Sequence, residues 1–245
     1  MESTRLPGKV MMPICGKPMI ELQIMRILRS KLISDLVVAI PETAENNGLN
    51  DHLEKLNIKV FRGSHHNVYE RFIEASKKYP SKSIIRLTGD CPLVMPDLLD
   101  EMIKYFHSIT TDYLSNGLTE TFPDGLDIEV FKTKALFRLQ SFKLNQQEKE
   151  FVTLGIYKRP KSFILKEFES KTHLGNERWT VDYLEDFDFV RKVFEYFQGN
   201  NWDFNTQDVL SYIDLDPNNR NRKSAKYRNI ALRTPSYLHS DTIPE

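Results

Sequence analysis

The sequence predicts an α/β fold built on a parallel or mostly parallel sheet with helices on both faces. Three observations point there. Short, continuous apolar runs rich in β-branched residues alternate with segments of helical periodicity. The length, 245 residues, suits one large α/β domain or one domain with a small appendage. A 40% hydrophobic content with zero formal net charge marks an ordered globular chain.

The elements follow in order. Residues 19–32 place Ile20, Ile24, Ile27 and Leu28 on one helical face. Residues 36–40, Leu-Val-Val-Ala-Ile, read as a strand covered on both faces. Val60-Phe61 and Ile84-Ile85-Arg86-Leu87 read the same way, though shorter. Between them, residues 68–79 carry Val68, Phe72 and Ala75 at helical spacing. Pro96 opens a further helix over 98–106, since proline suits a first turn. From about residue 111 the period changes to two. Residues 112–116 and 126–131 flank the turn-prone Pro123-Asp124-Gly125, which predicts antiparallel or edge strands. Residues 186–197 form an amphipathic helix with Phe187, Val190, Val193, Phe194 and Phe197 on its apolar side. The chain thus divides into a domain over 1–215 and a basic tail over 216–245, expected to be weakly ordered or packed on a partner subunit.

Composition also excludes functions. A neutral chain has no global field to hold a nucleic-acid backbone or an anionic membrane. No stretch approaches the apolar length of a membrane span, and the polar, basic start is no secretory signal. The two cysteines, Cys15 and Cys91, form no CxxC pair, so a reducing, cytoplasmic setting is expected.

Three segments carry chemistry. Ser3-Thr4-Arg5-Leu6-Pro7-Gly8-Lys9, followed by Gly16-Lys17-Pro18, packs hydroxyls, glycine and cations ahead of a helix. Such a loop suits phosphate oxygens, and it equally suits a solvated basic terminus followed by a turn. Arg86-Leu87-Thr88-Gly89-Asp90-Cys91-Pro92-Leu93 ends a buried strand in a carboxylate at the sheet's mouth, where ligands of open α/β sheets sit. Asp90 is either a hard ligand for Mg²⁺ or a cap of the next helix. Arg178-Trp179-Thr180-Val181-Asp182 reads as a third strand end, delivering Asp182 either to a metal or to a helix start. A cationic loop and two carboxylates at strand ends together fit a metal-bound polyphosphate.

These segments resemble the cytidylyltransferase family that makes CMP-activated acidic sugars, and most of all its SpsF-like branch. The resemblance rests on STRLPGK at 3–9, GKP at 16–18, FRGS at 61–64, RLTGDCPL at 86–93, SN at 115–116, PDGLDIEVF at 123–131 and RWTVD at 178–182, in order over residues 1 to about 200. It implies a Rossmann-like nucleotide-diphospho-sugar transferase sandwich with a small antiparallel extension. It also implies attack of an acceptor oxygen on the α-phosphorus of CTP, with Mg²⁺ as cofactor and pyrophosphate as product. Ser3, Thr4, Arg5, Lys9 and Lys17 are expected at the triphosphate, and Arg62 and Ser64 near the base or ribose. Arg5, Lys9 and Asp90 are the expected catalytic set, and Asp90 and Asp182 the expected metal ligands. Asn116, Asp124, Asp127, Glu129 and Glu150 are expected on the side of a small acidic sugar-like acceptor; Asp124 and Glu129 read equally as turn and edge-strand residues. The branch has histidine where this chain has Phe151, which implies a less polar acceptor pocket. The family also places a central strand ahead of STRLPGK, so a misassigned start or an impaired chain is expected. A homodimer is expected.

Other features have plainer readings. His65 and His66 lack partners at metal-ligand spacing. Cys91 reads as a small buried residue, Trp202 as core, and the tail as a subunit contact rather than an RNA arm. Two other functions share these motifs: a glycosyltransferase using a ready-made nucleotide sugar, and a truncated non-catalytic paralogue.

Overall fold

The structure, a computed structural model, describes residues 5–221. It opens with the hairpin β1 (Pro13–Ile14) and β2 (Lys17–Pro18). The tight turn between them places Cys15 and Gly16 at positive φ. Helix α1 (Met19–Ile27) starts at once, and nearly all its residues are buried. It ends sooner than the apolar pattern suggests, because Leu28 is exposed and the chain turns at Ser30.

Strand β3 (Val37–Pro41), helix α2 (Asn47–Lys55) and β4 (Lys59–Gly63) form a parallel β-α-β unit in register Val37 to Lys59. Helix α3 (Val68–Lys78) follows, capped by Asn67, whose side chain accepts from the amide of Glu70. Strand β5 (Ser83–Arg86) leads to α4 (Pro96–Ser108), with Pro96 in its first turn as expected.

Strands β6 (Tyr113–Ser115) and β7 (Glu129–Lys132) come next, then α5 (Thr133–Arg138), α6 (Gln146–Glu150), α7 (Leu154–Tyr157) and β8 (Leu165–Glu167). The sheet order is β5-β7-β6-β8, antiparallel across the first two pairs and parallel across the last. Period-two alternation found both strands, and of its two readings, antiparallel or edge, the antiparallel one holds: β6 and β7 pair with each other inside the sheet, and their polar members Ser115 and Glu129 are buried with hydrogen-bonding partners. Helices α8 (Leu184–Tyr196) and α9 (Thr206–Leu215) close the fold.

One core cluster joins α1, α4, α8 and α9 to the sheet, around Leu114, Val130 and Trp179. Arg26 is buried within it. Its guanidinium donates to the carbonyls of Val94, Trp202 and Phe204 and lies over the Phe204 ring, 3.6 Å from its centroid. Burial draws its pKa down to about 9.

Among the described residues, β3 pairs only with β4, and β5 only with β7. Between β3 and β5 lies a groove of about 770 Å³. The tail beyond Asn221 lies outside the described residues. Asn221 itself donates to the carbonyl of Arg178 and to Asp186.

Candidate active site

Asp90 stands in the turn that follows β5. The turn is closed by the amide of Cys91 on the carbonyl of Thr88, and the Thr88 hydroxyl donates to the Asp90 carboxylate at 2.5 Å. From α1, the buried Gln23 amide donates to the carbonyls of Thr88 and Cys91 at 2.8 and 3.0 Å. A helix therefore fixes the loop that presents the carboxylate. Burial raises the pKa of Asp90, but the Lys9 ammonium and the Thr88 hydroxyl outweigh it and leave the group below its ordinary value.

Asp182 arrives from the other side. The segment before it is an extended loop rather than the expected strand; its ladder is a single bridge between Asp124 and Arg178. The loop is pinned by the amide of Trp179 on the Asp124 carbonyl at 2.6 Å and by the amide of Val181 on the Asp90 carbonyl at 2.8 Å. Gly125, at φ 111°, permits this approach, since a Cβ there would fall 2.4 Å from the Thr180 nitrogen.

Beneath Asp182 lies Arg178, almost fully buried. Its guanidinium donates to Asp186 through two nitrogens at 3.1 and 3.0 Å, to Asp124 at 2.7 Å and to one oxygen of Asp182 at 3.0 Å. The other Asp182 oxygen faces Lys9 at 3.1 Å and Arg5 at 2.8 Å. Lys9 reaches Asp90 as well, at 3.4 Å, and donates to the Val181 carbonyl at 2.5 Å. It sits on a short turn whose preceding residue, Gly8, is left-handed at φ 71°. The Arg5 guanidinium also lies 5.2 Å from the centroid of the Tyr183 ring.

Four sequence-predicted residues, Arg5, Lys9, Asp90 and Asp182, thus form one centre. The sequence model of the family described as Cytidylyltransferase matches residues 1–201. The chain belongs to the cytidylyltransferase family. It is 29% identical over 234 residues to the spore coat polysaccharide biosynthesis protein SpsF of Bacillus subtilis, covering 92% of this chain and 95% of that one. It is 30% identical over 101 residues to a 3-deoxy-manno-octulosonate cytidylyltransferase of Geobacter sulfurreducens, over 41% of this chain and 40% of that one. A cytidylyltransferase structure from Leptospira borgpetersenii superposes with a TM-score of 0.85 at 29% identity, covering 90% and 93% of the two chains. The protein is a nucleotidyltransferase with a Rossmann-like fold.

The remaining predicted residues of this cytidylyltransferase fall elsewhere. Ser3 and Thr4 lie outside the described residues. Lys17 is ion-paired with Glu21, whose other oxygen takes His52 at 3.0 Å, so its charge is engaged away from the carboxylate centre. Arg62 donates to the Thr43 carbonyl at 2.9 Å, while its buried Nε has no partner. The Ser64 hydroxyl accepts from the Asn67 amide at 3.2 Å, at the start of α3.

The expected acceptor side is largely an internal brace. The buried Asn116 donates to the Leu126 carbonyl and accepts from the Ile128 amide, at 2.8 and 2.7 Å. Asp127 accepts from the Gly125 amide at 3.1 Å. Glu129 takes the Tyr113 hydroxyl at 2.6 Å, the Thr153 hydroxyl at 2.5 Å and the Arg86 guanidinium. Next to Thr153, the β-branched Val152 is held at φ 34°, a strained conformation. Glu150 is exposed at the end of α6, and the buried carboxylate there is Glu148, bound to Arg159. These side chains hold the 116–129 loop in shape, and Asp124 touches the centre through Arg178.

Sequence reasoning passed over Arg178, Asp186 and Gln23. Arg178 stood inside the RWTVD motif without a role, and Asp186 read as the first residue of an amphipathic helix. It is instead the fully buried N3 residue of the α8 capping box. Gln23 looked like one more helical residue. The Cys91 thiol is buried, and burial followed by the Asp90 charge raises its pKa well above the ordinary value, so it stays protonated. Among the described residues no trio of His, Cys, Asp and Glu could hold a metal, and no helix is long and apolar enough to cross a membrane.

Proposed function

We propose that the centre transfers CMP from CTP to a small acidic sugar-like acceptor. The observation that carries this reading is the Lys9 ammonium set between the carboxylates of Asp90 and Asp182, with Arg5 on the outer oxygen of Asp182. Two carboxylates close enough to share one cation fit Mg²⁺, which takes one or two carboxylates and draws its other ligands from water and substrate phosphates. Asp90 and Asp182 would hold the ion; when bound, it neutralises charge spreading over the phosphates and polarises the α-phosphate.

The chain's own residues supply the rest. Arg178, itself held by Asp186, binds one oxygen of Asp182, Asp186 accepts from the Asp182 amide, and the other Asp182 oxygen is left to face Lys9 and Arg5. These two cations are the natural holders of the triphosphate oxygens, one as a point charge and one as a planar fork. With the triphosphate in line, the acceptor oxygen bonds to the α-phosphorus. The bond to the bridging oxygen breaks, pyrophosphate leaves with the electron pair, and the hydroxyl proton passes to solvent. The protonated Cys91 takes no covalent part. The likeness to SpsF and to the octulosonate enzyme supports an acidic sugar in surface-polysaccharide precursor synthesis.

The test is product analysis. Incubation with CTP, Mg²⁺ and a panel of acidic sugars is expected to release one pyrophosphate per CMP-sugar formed. Release of free nucleotide from nucleotide sugars, with no pyrophosphate from CTP, would instead support the glycosyltransferase reading.

A further inference from the structure

Asp182 lies midway along the loop 178–186, and the two ends of that loop are tied together. From within, the buried Arg178 guanidinium grips the Asp186 carboxylate through two nitrogens at 3.1 and 3.0 Å. From outside, a third side chain closes the same base. The amide of Asn221 donates to the carbonyl of Arg178 at 3.0 Å and to Oδ1 of Asp186 at 2.9 Å. One nitrogen, 35 residues beyond Asp186, thus spans both ends of the loop.

The fold delivers it there through a series of fixed turns. Helix α9 stops ahead of Asp216 and Pro217, and the Asp216 side chain accepts from the Asn218 amide at 2.8 Å. Asn219 donates to the Tyr212 carbonyl at 2.9 Å, which folds the turn back on α9. Arg220 pairs with Glu177 at 3.3 Å, and Asn221 takes the next position along, Arg178. Residues 216–221, read from the sequence as the start of the tail, are therefore packed against the segment that carries Asp182.

Asp186 is fully buried and heavily bonded. Its Oδ1 accepts from Arg178 and Asn221, and its Oδ2 from Arg178 and from the amides of Asp182 and Tyr183. Because the Asp182 amide is among these donors, a shift of the Asp186 carboxylate is passed to the Asp182 backbone. Loss of the Asn221 bond takes a donor from a buried carboxylate oxygen, a costly change that movement relieves. An amide suits the position because it adds a donor without a charge. A second cation there would compete with Arg178 for Asp186, and Arg178 is already shared among Asp124, Asp182 and Asp186.

We propose that Asn221 is a positioning residue for Asp182: its amide holds the base of the 178–186 loop at the width that keeps the outer Asp182 oxygen towards Lys9 and Arg5. The inference rests on the reading of Asp90 and Asp182 as the metal ligands. Asn221 acts through Asp186 and Arg178, as the partners behind metal ligands commonly do.

The test uses full-length Asn221→Ala and Asn221→Asp, the second equal in shape to asparagine but without its donor. Each protein is titrated into Mn²⁺–CTP, with water-proton relaxation reporting binding of the complex. Calorimetry with CTP in EDTA reports binding without metal. Both variants are expected to bind Mn²⁺–CTP about tenfold more weakly than the wild type, the lower end of the ~10–100-fold that such partners contribute to metal affinity. Metal-free CTP binding should stay unchanged. Arg220→Ala, which removes only the neighbouring, more exposed ion pair, should change neither quantity. Wild-type affinity for Mn²⁺–CTP in Asn221→Asp would overturn the proposal, since the side chain would then be a spacer. Equal weakening with and without metal, or an equal loss in Arg220→Ala, would overturn it as well, by making the segment a general support of the fold. Asp182→Asn, run beside them, tests the reading beneath. If it also binds Mn²⁺–CTP like the wild type, the metal reading fails and the inference falls with it.

Discussion

The two halves of the sheet are built differently, and the candidate site draws on both. On the β5-β7-β6 side, strands interleave in antiparallel pairs, Leu114 and Val130 are fully buried, and even the polar Glu129 is held by three partners. On the β3-β4 side a parallel pair faces a groove, and its strand residues are half-buried. Asp90, Asp124, Asp182 and Asp186 are tied to the closed half through Arg178 and the backbone links around Asp90. The Arg5–Lys9 loop binds those carboxylates, and the next residue, Val10, lines the groove of the open half. The carboxylate half of the site is therefore braced from the closed half, and the two cations of the Arg5–Lys9 loop are held through those same carboxylates.

The largest expected effect separates chemistry from scaffold. Asp90→Asn and Asp182→Asn keep the side-chain shape but remove the charge that Mg²⁺ requires. Each is expected to lower pyrophosphate release at least ~10²–10³-fold; Asp90→Asn should change thermal unfolding little, whereas Asp182→Asn also gives up its pair with Arg178 and should lower it somewhat. Near-normal turnover at limiting Mg²⁺ in either variant removes that residue from the metal site.

Asp186→Asn probes the scaffold under the same carboxylate. It breaks a buried pair with Arg178, so a loss of about 3–5 kcal/mol in stability is expected by denaturant unfolding. Its pH signature follows from the direction of the shift. Burial raises the pKa of Asp186, but the hydrogen bonds from Arg178, Asn221 and the Asp182 amide lower it further, for a net depression. The stability it contributes is therefore complete above the unfolded-state value of ~3.9 and disappears as pH falls through the lower folded value. The wild type should lose stability more steeply than the variant below about pH 4. Parallel acid titrations of the two proteins contradict the assignment.

How far the sequence could be read follows the same division. The apolar runs located β3, β4 and β5, because strands flanked by helices are recognisable without knowing their neighbours. Arg5, Lys9, Asp90 and Asp182 were found from charge type and from family motifs, although they lie far apart in the chain and meet only in the fold. The support beneath them was not legible. Arg178 and Asp186 carry no sequence signal of their pairing, which becomes visible only where the loop meets the start of α8. Asn116 and Glu129 were expected on the acceptor side from the family motifs; their partners within the fold, the 126–128 backbone and the hydroxyls of Tyr113 and Thr153, are set by tertiary structure.

Matched truncations sharpen the contrast in packing. Leu114→Ala in the closed half is expected to cost about 2–5 kcal/mol, and Ile85→Ala beside the groove less than half as much. Equal losses by chemical denaturation would mean the two halves are equally packed in solution. The smallest effect lies in the loop. Lys9→Ala should weaken CTP about tenfold more than CMP, one charge-assisted contact to the β- or γ-phosphate being worth about 1.5–3 kcal/mol. Titration calorimetry with both nucleotides reads the difference, and equal losses would place Lys9 at the α-phosphate.

The central claim is that Asp90 and Asp182 hold a divalent ion against the triphosphate, where Lys9 now bridges them. Crystals grown with CTP and Mn²⁺ in place of Mg²⁺ address it directly through anomalous scattering. The account predicts one anomalous peak between the two carboxylates, with triphosphate oxygens on its far side and Lys9 moved onto a phosphate. Bound CTP with no peak at that position, or with the metal held by other side chains, would contradict it.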